Sequence, residues 1–395
     1  MMDDGKNITN DSEQDNTINT DLENIEEVSI TESRDIDDNR DKRKKHSLRF
    51  KILIGCSCAI LAIAIFLFSF GWHLLGYINR KDFSDTEVDY QEEEFGSDGE
   101  DQGYESADPD SIIWEKYGEI KEVEGIKNIL LCAEENQYGA QRGRSDVIMI
   151  ATIDTNTQSL KLMSILRDTY VPIPGFSDNR INSSYATGDI PLLEETIKEN
   201  FNIQVDGYVK VDFDSFTKVI DELGGVEVTL TEEEATWLNE SNHILDPDSR
   251  NVTAGTHILN GSQALGYSRI RYIPTADGIG SDFGRVWRQK HVLMQVFNKY
   301  KNLGLLDILD KAPDILSLVQ TDYSRMEVFS LIKTVMGLDT QEIETLSIPV
   351  RKGYTPKKIR GDDVLVPDLK INNEAISEFI YGTNSTDTTS NNKEN

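Results

Sequence analysis

Between Ile52 and Ile78 the chain contains no Asp, Glu, Lys or Arg, and most of its residues are Ile, Leu, Phe, Ala and Gly. A helix crosses a bilayer with ~20 consecutive apolar residues, so this run is long enough to span one. Before it stand Lys42, Arg43, Lys44, Lys45, Arg49 and Lys51; after it come Asp82, Asp85, Glu87 and Glu92, Glu93 and Glu94. Positive charge collects on the cytoplasmic flank of membrane spans. The pattern therefore predicts a single-pass protein of the cell membrane, with a cytoplasmic N-terminus and the bulk of the chain extracytoplasmic. A cleaved secretory signal would have a shorter apolar core and a small-residue cleavage site. The stretch Phe68-Ser69-Phe70-Gly71-Trp72-His73 offers none.

This run divides the chain. Residues 1–51 form an acidic cytoplasmic tail without apolar periodicity, expected to be disordered, ending in the basic run. Residues 52–78 form the transmembrane helix. Residues 79–111, acidic and rich in Gly and Ser, predict a flexible stalk. Residues 112–382 make up one domain, and 383–395 a Thr/Ser/Asn tail expected to be disordered. The net charge of -30 argues against a nucleic-acid partner, because a polyanion would be repelled. An anionic ligand then has to be met by locally gathered arginines. Cys56 and Cys58 lie in the apolar run, which leaves Cys132 alone in the domain and excludes an intradomain disulfide.

Inside the domain, short apolar runs bounded by polar turns predict strands at 127–132, 147–153, 160–166, 209–213, 226–230 and 344–349. Helical spacing predicts helices at 191–201, 216–223 and 283–300, with Asn260 capping another. The alternation indicates an α/β fold with helices on both faces of a sheet.

Arginines concentrate in four places: Arg142-Gly-Arg144-Ser-Asp146, Arg167-Asp168-Thr169, Arg269-Ile-Arg271 and Arg285-Val-Trp-Arg288-Gln289. Asp146 precedes one predicted strand and Arg167 follows the next, so antiparallel pairing would bring them to one sheet edge. Arg269 and Arg271 alternate in what reads as an extended segment, and Arg285 and Gln289 share a helical face. Guanidinium forks match phosphate oxygens. A carboxylate among them suits Mg²⁺, which takes one or two carboxylates while bridging phosphates, and Asp146 is the first candidate. His243 and His257 lack metal-ligand spacing, and Ser145 lacks a nucleophile-elbow setting.

The joint order of Asn128-Ile-Leu-Leu, Arg144-Ser-Asp146, Arg167-Asp-Thr169, Arg180-Ile-Asn182, Gly224-Gly-Val-Glu-Val228, Leu259-Asn-Gly-Ser-Gln-Ala264, Arg269-Ile-Arg271 and Asp282-Phe-Gly-Arg285-Val-Trp-Arg-Gln289 resembles the LytR-CpsA-Psr family over roughly residues 125–300. The resemblance implies a mixed central β-sheet flanked by helices, with an apolar groove for a prenyl tail. It implies an enzyme, a phosphotransferase that moves an anionic glycopolymer such as teichoic acid or capsule from an undecaprenyl-pyrophosphate carrier to peptidoglycan muramic acid. Carried over, it makes Arg144, Arg167, Arg269, Arg271, Arg285 and Gln289 pyrophosphate contacts, with Arg180 a further substrate contact. Mg²⁺ or Mn²⁺ would sit on Asp146. Relatives usually carry Gly-x-Asp after the first strand; here Ala133-Glu134-Glu135 stands there, so Glu135 becomes the expected second metal ligand. Two other functions remain open: a polyprenyl-phosphate-binding envelope regulator of the transcriptional-attenuator kind, and a lipid pyrophosphate hydrolase.

Overall fold

The computed structural model describes residues 76, 78–84, 88–90, 102–135, 142–301, 314–340 and 342–382, without the side chain of Glu135. Met1–Gly71 separates as a unit of its own and lies outside these residues, so the expected tail and nearly all of the expected membrane helix are not described. Among the described residues no helix is long and apolar enough to cross a membrane.

In chain order the main elements begin with β1 (Asn79–Arg80), β2 (Ile126–Glu135), β3 (Arg144–Asp154), β4 (Ser159–Ile165), β5 (Tyr170–Val171) and β6 (Asn179–Arg180). There follow α1 (Ile181–Phe201), β7 (Gly207–Asp212), α2 (Phe213–Glu222), β8 (Val226–Leu230), α3 (Glu232–Glu240), β9 (Gly255–Leu259), α4 (Gly261–Arg269) and α5 (Ser281–Lys301). β10 (Gln320–Thr321), α6 (Arg325–Gly337), β11 (Ile343–Ile348), β12 (Tyr354–Ile359), β13 (Asp362–Pro367) and α7 (Leu369–Tyr381) complete them.

Seven strands form one sheet in the order β1-β10-β7-β2-β3-β4-β11. β2 runs antiparallel to β3 and parallel to β7; β4 runs antiparallel to β3 and parallel to β11. The sheet is therefore mixed, with helices on both faces. Its central strands read as near-continuous apolar runs because both of their faces are buried. Leu130, Cys132, Ile148, Ile150 and Tyr208 face one way and pack against Tyr185, Leu193, Ile197 and Phe201 of α1 and Ile376 and Ile380 of α7. Their neighbours Ile129, Leu131, Ile153 and Val209 face the other way, against Phe297 of α5 and Val328, Leu331 and Val335 of α6. A further core joins the β8–β9 ribbon to α3, α4 and α5 through Val226, Val228, Leu238, Tyr267 and Val292.

Two close backbone approaches hold the elements of this further core together. At Gly261, the first residue of α4, a Cβ would fall 2.0 Å from the carbonyl oxygen of Thr217 in α2, so the two helices touch backbone to backbone. Gly225, with φ +82°, ends the turn after α2, and a Cβ there would meet the carbonyl oxygen of Leu259 at 2.6 Å.

Several sequence expectations need correction. The helix expected from Pro191 extends back to Ile181, across a break where Gly188 and Asp189 leave helical geometry; Pro191 opens the second half. Arg269 does not lie in an extended segment but closes α4. The expected stalk over 79–111 is in part built into the domain: β1 adds to β10, and Ala107 N–H donates to the Lys358 carbonyl while Lys358 N–H donates to that of Glu105. Addition to a sheet edge uses backbone groups alone, so an acidic, Gly-rich composition gives no sign of it.

Candidate functional site

A β-bulge brings the first carboxylate into place. Ala133 pairs with Val147 and Glu134 with Ser145, so Asp146 is an extra residue in β3 with no partner across the ladder. Adjacent residues of a regular strand point to opposite faces, whereas a bulge redirects one of them. Asp146 and Val147 accordingly both line the same cavity.

That cavity, of about 430 Å³, lies over the face of β2, β3 and β7 that α2, α4 and α5 cover. Leu131, Val209, Val211, Phe213, Phe216, Trp237, Leu265, Val292 and Leu293 give it apolar walls; Arg167, Arg269, Arg271, Arg285 and Gln289 give it polar ones. Five residues that the sequence gathered as anion contacts thus come from three separate segments to one space.

Three aspartates tie the guanidinium groups together. Arg167 Nη1 donates to Asp146 Oδ1 at 2.5 Å. Arg271 Nη2 donates to Asp282 Oδ2 at 2.7 Å, and Arg285 Nη2 lies 2.7 Å from Asp282 Oδ1. Asp168 stands behind them, 3.6 Å from Arg167, 3.4 Å from Arg271 and 3.7 Å from Arg180. Burial works against the charge on Arg167 and Arg271, but the neighbouring aspartates outweigh it and hold both above the ordinary arginine range. At Arg285 burial dominates, and the charge of Arg167 adds to it, so this guanidinium is pulled below its ordinary value. Nε of Arg167 and of Arg285 are both buried without a hydrogen-bond acceptor among the described residues. Buried donors left unpaired are costly, and an anion in the cavity would satisfy them.

Other expected site residues lie elsewhere. Arg180 is buried and reaches Asp168 and, at 3.4 Å, Asp362; it does not line the cavity. Arg144 opens β3 opposite Glu135 and is also absent from the lining. Arg288, one helical turn from Arg285, is fully buried, with Nε and Nη2 donating to Glu234 Oε1 at 2.9 and 2.6 Å, and serves the β8–β9 core. Asp282 escaped the sequence reading as a site residue although its i,i+3 spacing to Arg285 was legible. Trp237 and His243 had no local signal, since α3 and the loop after it reach the cavity only through tertiary packing. The His243 ring lies tilted against Trp237 with centroids 4.5 Å apart, and burial followed by the charge of Arg269 pushes it down to about 4.

No group of three or more His, Cys, Asp or Glu side chains able to hold a metal occurs among the described residues. A lone carboxylate beside bound phosphates still fits Mg²⁺, which keeps waters and takes one or two carboxylates with substrate oxygens. Asp146, at the cavity wall beside the guanidinium of Arg167, is the carboxylate placed for such a role.

The fold and the cavity together define a class: a mixed-sheet α/β domain that offers an apolar chamber closed at one side by arginines. The LytR_cpsA_psr family model matches residues 95–379, and the chain belongs to that family. Regulatory protein MsrR of Staphylococcus aureus (strain COL) is 30% identical over 267 residues, covering 67% of this chain and 76% of that protein. The polyisoprenyl-teichoic acid–peptidoglycan teichoic acid transferase TagV of Bacillus subtilis (strain 168) is 34% identical over 221 residues, 54% of each chain. Among solved structures, B. subtilis TagV superposes with a TM-score of 0.52 at 28% identity, over 66% of this chain and 98% of that one. TagT bound to LI-WTA does so with a TM-score of 0.52 at 25% identity, over 66% and 92%.

Proposed function

We propose that this chain transfers an anionic glycopolymer from an undecaprenyl-pyrophosphate carrier to a muramic acid hydroxyl of peptidoglycan. One observation carries the reading: Arg167, Arg271 and Arg285, two of them with buried Nε donors that lack a hydrogen-bond acceptor among the described residues, converge on a cavity whose remaining walls are largely apolar. A charged head joined to a long hydrocarbon is what such a chamber accepts, and the transferase names of related proteins support the same chemistry. The acceptor hydroxyl bonds to the phosphorus that bears the polymer as the bond from that phosphorus to the bridging pyrophosphate oxygen breaks, and undecaprenyl phosphate departs carrying the hydroxyl's proton. The arginines hold both phosphates and offset the charge that grows on the departing oxygen, while the dry walls strengthen those contacts. Asp168 and Asp282 fix the guanidinium planes. Mg²⁺ or Mn²⁺ held by Asp146, with Glu135 as second ligand, would neutralise phosphate charge when bound. The chain is anchored by residues 52–78 with its N-terminus in the cytoplasm, a reading supported by the basic flank.

The test is product analysis with the full chain, a lipid-linked glycopolymer and peptidoglycan fragments. Polymer joined to glycan is the expected product. Free polymer phosphate would make the protein a hydrolase, and tight lipid retention without turnover would make it a lipid-binding regulator; either result overturns the proposal.

A further inference from the structure

α6 has two apolar sides. Val328, Leu331 and Val335 pack on the sheet, whereas Met326, Phe329 and Met336 point away from it and are 52%, 52% and 41% exposed. Positions 326, 329, 333 and 336 step by three and four residues and so form one stripe along the helix. The fourth member, Lys333, is also exposed. Single exposed apolar residues are ordinary, but several aligned on one face mark a surface that something covers.

Connectivity indicates what covers it. The uncharged run 52–78 ends at Ile78, and β1 begins at the next residue. β1 lies parallel against β10, with Asn79 opposite Gln320 and Arg80 opposite Thr321, and α6 starts at Arg325 just beyond. Gly76, still inside the run, sits beside that start: a Cβ on it would be 3.8 Å from the Arg325 guanidinium. The helix with the outward apolar stripe therefore begins where the apolar run leaves off.

We propose that the Met326–Phe329–Lys333–Met336 face of α6 rests in the surface of the lipid bilayer and orients the domain on it. The inference depends on the reading that residues 52–78 span that bilayer. Met and Phe suit the boundary between headgroups and acyl chains, and a lysine among them lays its stem on the apolar layer with its ammonium at lipid phosphates. Three apolar side chains suffice because the anchor already holds the helix near the lipid at high effective concentration. A single attachment at β1 would leave the domain free to swivel; a second at α6 fixes its orientation.

The experiment uses the full chain reconstituted in vesicles of phosphatidylglycerol and phosphatidylethanolamine, some carrying brominated acyl chains that quench indole fluorescence. Phe329→Trp and, independently, Met336→Trp should each add emission that is largely lost when the bromines sit near the top of the acyl chain, and less so when they sit near its middle. Ile371→Trp, on α7 over the opposite face of the sheet, should keep its added emission. Equal quenching at all three sites, or none at 329 and 336, overturns the proposal. So does an indole shielded without quenching, which would assign the face to a second copy of the chain. Alkaline carbonate extraction separates the two readings: a chain that stays in the vesicles with unquenched α6 variants refutes docking alone, whereas a chain that washes out refutes the span.

Discussion

Arg285 and Arg288 occupy one turn of α5 and are both buried beside a carboxylate, yet only Arg285 lines the cavity. Arg288 is sealed against Glu234, and removing one partner of a buried pair leaves the other uncompensated. Arg288→Ala is therefore expected to lose about 3–5 kcal/mol of stability, read from the urea midpoint. Arg285→Ala should remain folded, because the loss removes a guanidinium that burial already disfavours, yet transfer should fall on the order of 10²- to 10³-fold. Arg285→Lys should stay poorly active, since an ammonium lacks the planar fork. Wild-type transfer by Arg285→Ala would remove it from the site. Asp146→Ala should abolish Mg²⁺-dependent turnover while Glu135→Asp preserves it; full activity of Glu135→Ala at limiting Mg²⁺ would show that Glu135 is no ligand. Lys290, the next residue but one after Arg288, is buried with its ammonium on the Leu346 carbonyl and Ser347 Oγ and no carboxylate partner among the described residues. Burial pulls it down to about 8. Between pH 8 and its ordinary 10.5 the unfolded chain binds the proton that the folded chain has released, so folding stability rises with pH across that window. Below it the buried charge costs on the order of 3 kcal/mol. Lys290→Met should be more stable than wild type at pH 7, with the gap closing by pH 10; a gap independent of pH would exclude the titration.

Elements differ in how plainly the sequence announces them. β2, β3 and β4 were legible as apolar runs because they are buried on both faces, and the cap at Asn260 was legible because its side chain accepts from Gln263 N–H in a capping box. The first half of α1 was not, since Asn182, Ser183, Ser184 and Thr187 are polar in composition yet buried. The β12–β13 hairpin offers only the three-residue apolar run Val364-Leu365-Val366, set between charged residues such as Lys357, Lys358 and Asp363. Most consequential for the site is the bulge at Asp146: a ladder offset depends on two strands at once and leaves no mark on either. Gly261 separates local preference from packing in the same way. Helix propensity alone favours Ala over Gly by up to about 1 kcal/mol. The Thr217 carbonyl 2.0 Å from the absent Cβ requires the opposite sign. Gly261→Ala should lower the urea midpoint and, by shifting α4 with Arg269 at its end, reduce transfer; a stabilised variant would refute the backbone contact between α2 and α4.

At the scale of the whole molecule, charge is distributed in a way that the total conceals. A net charge of -30 repels polyanions, yet four arginines meet in one cavity and six Lys and Arg residues stand within the ten positions before Ile52. The cavity was foreseeable only through the joint order of motifs over the domain, because no single arginine stretch separates a phosphate site from surface ion pairs, and Arg288 shows that the two lie side by side. The basic cluster before Ile52 makes a claim that the cavity does not test. If the proposed reaction is to reach peptidoglycan, the domain has to stand outside the cell, and the charge step across 52–78 predicts that orientation. Protease added to intact, wall-stripped cells should then digest the domain while a tag at Met1 stays protected until the cells are lysed. Digestion of the tag in intact cells, with the domain spared, would reverse the orientation and separate the arginines from their proposed acceptor.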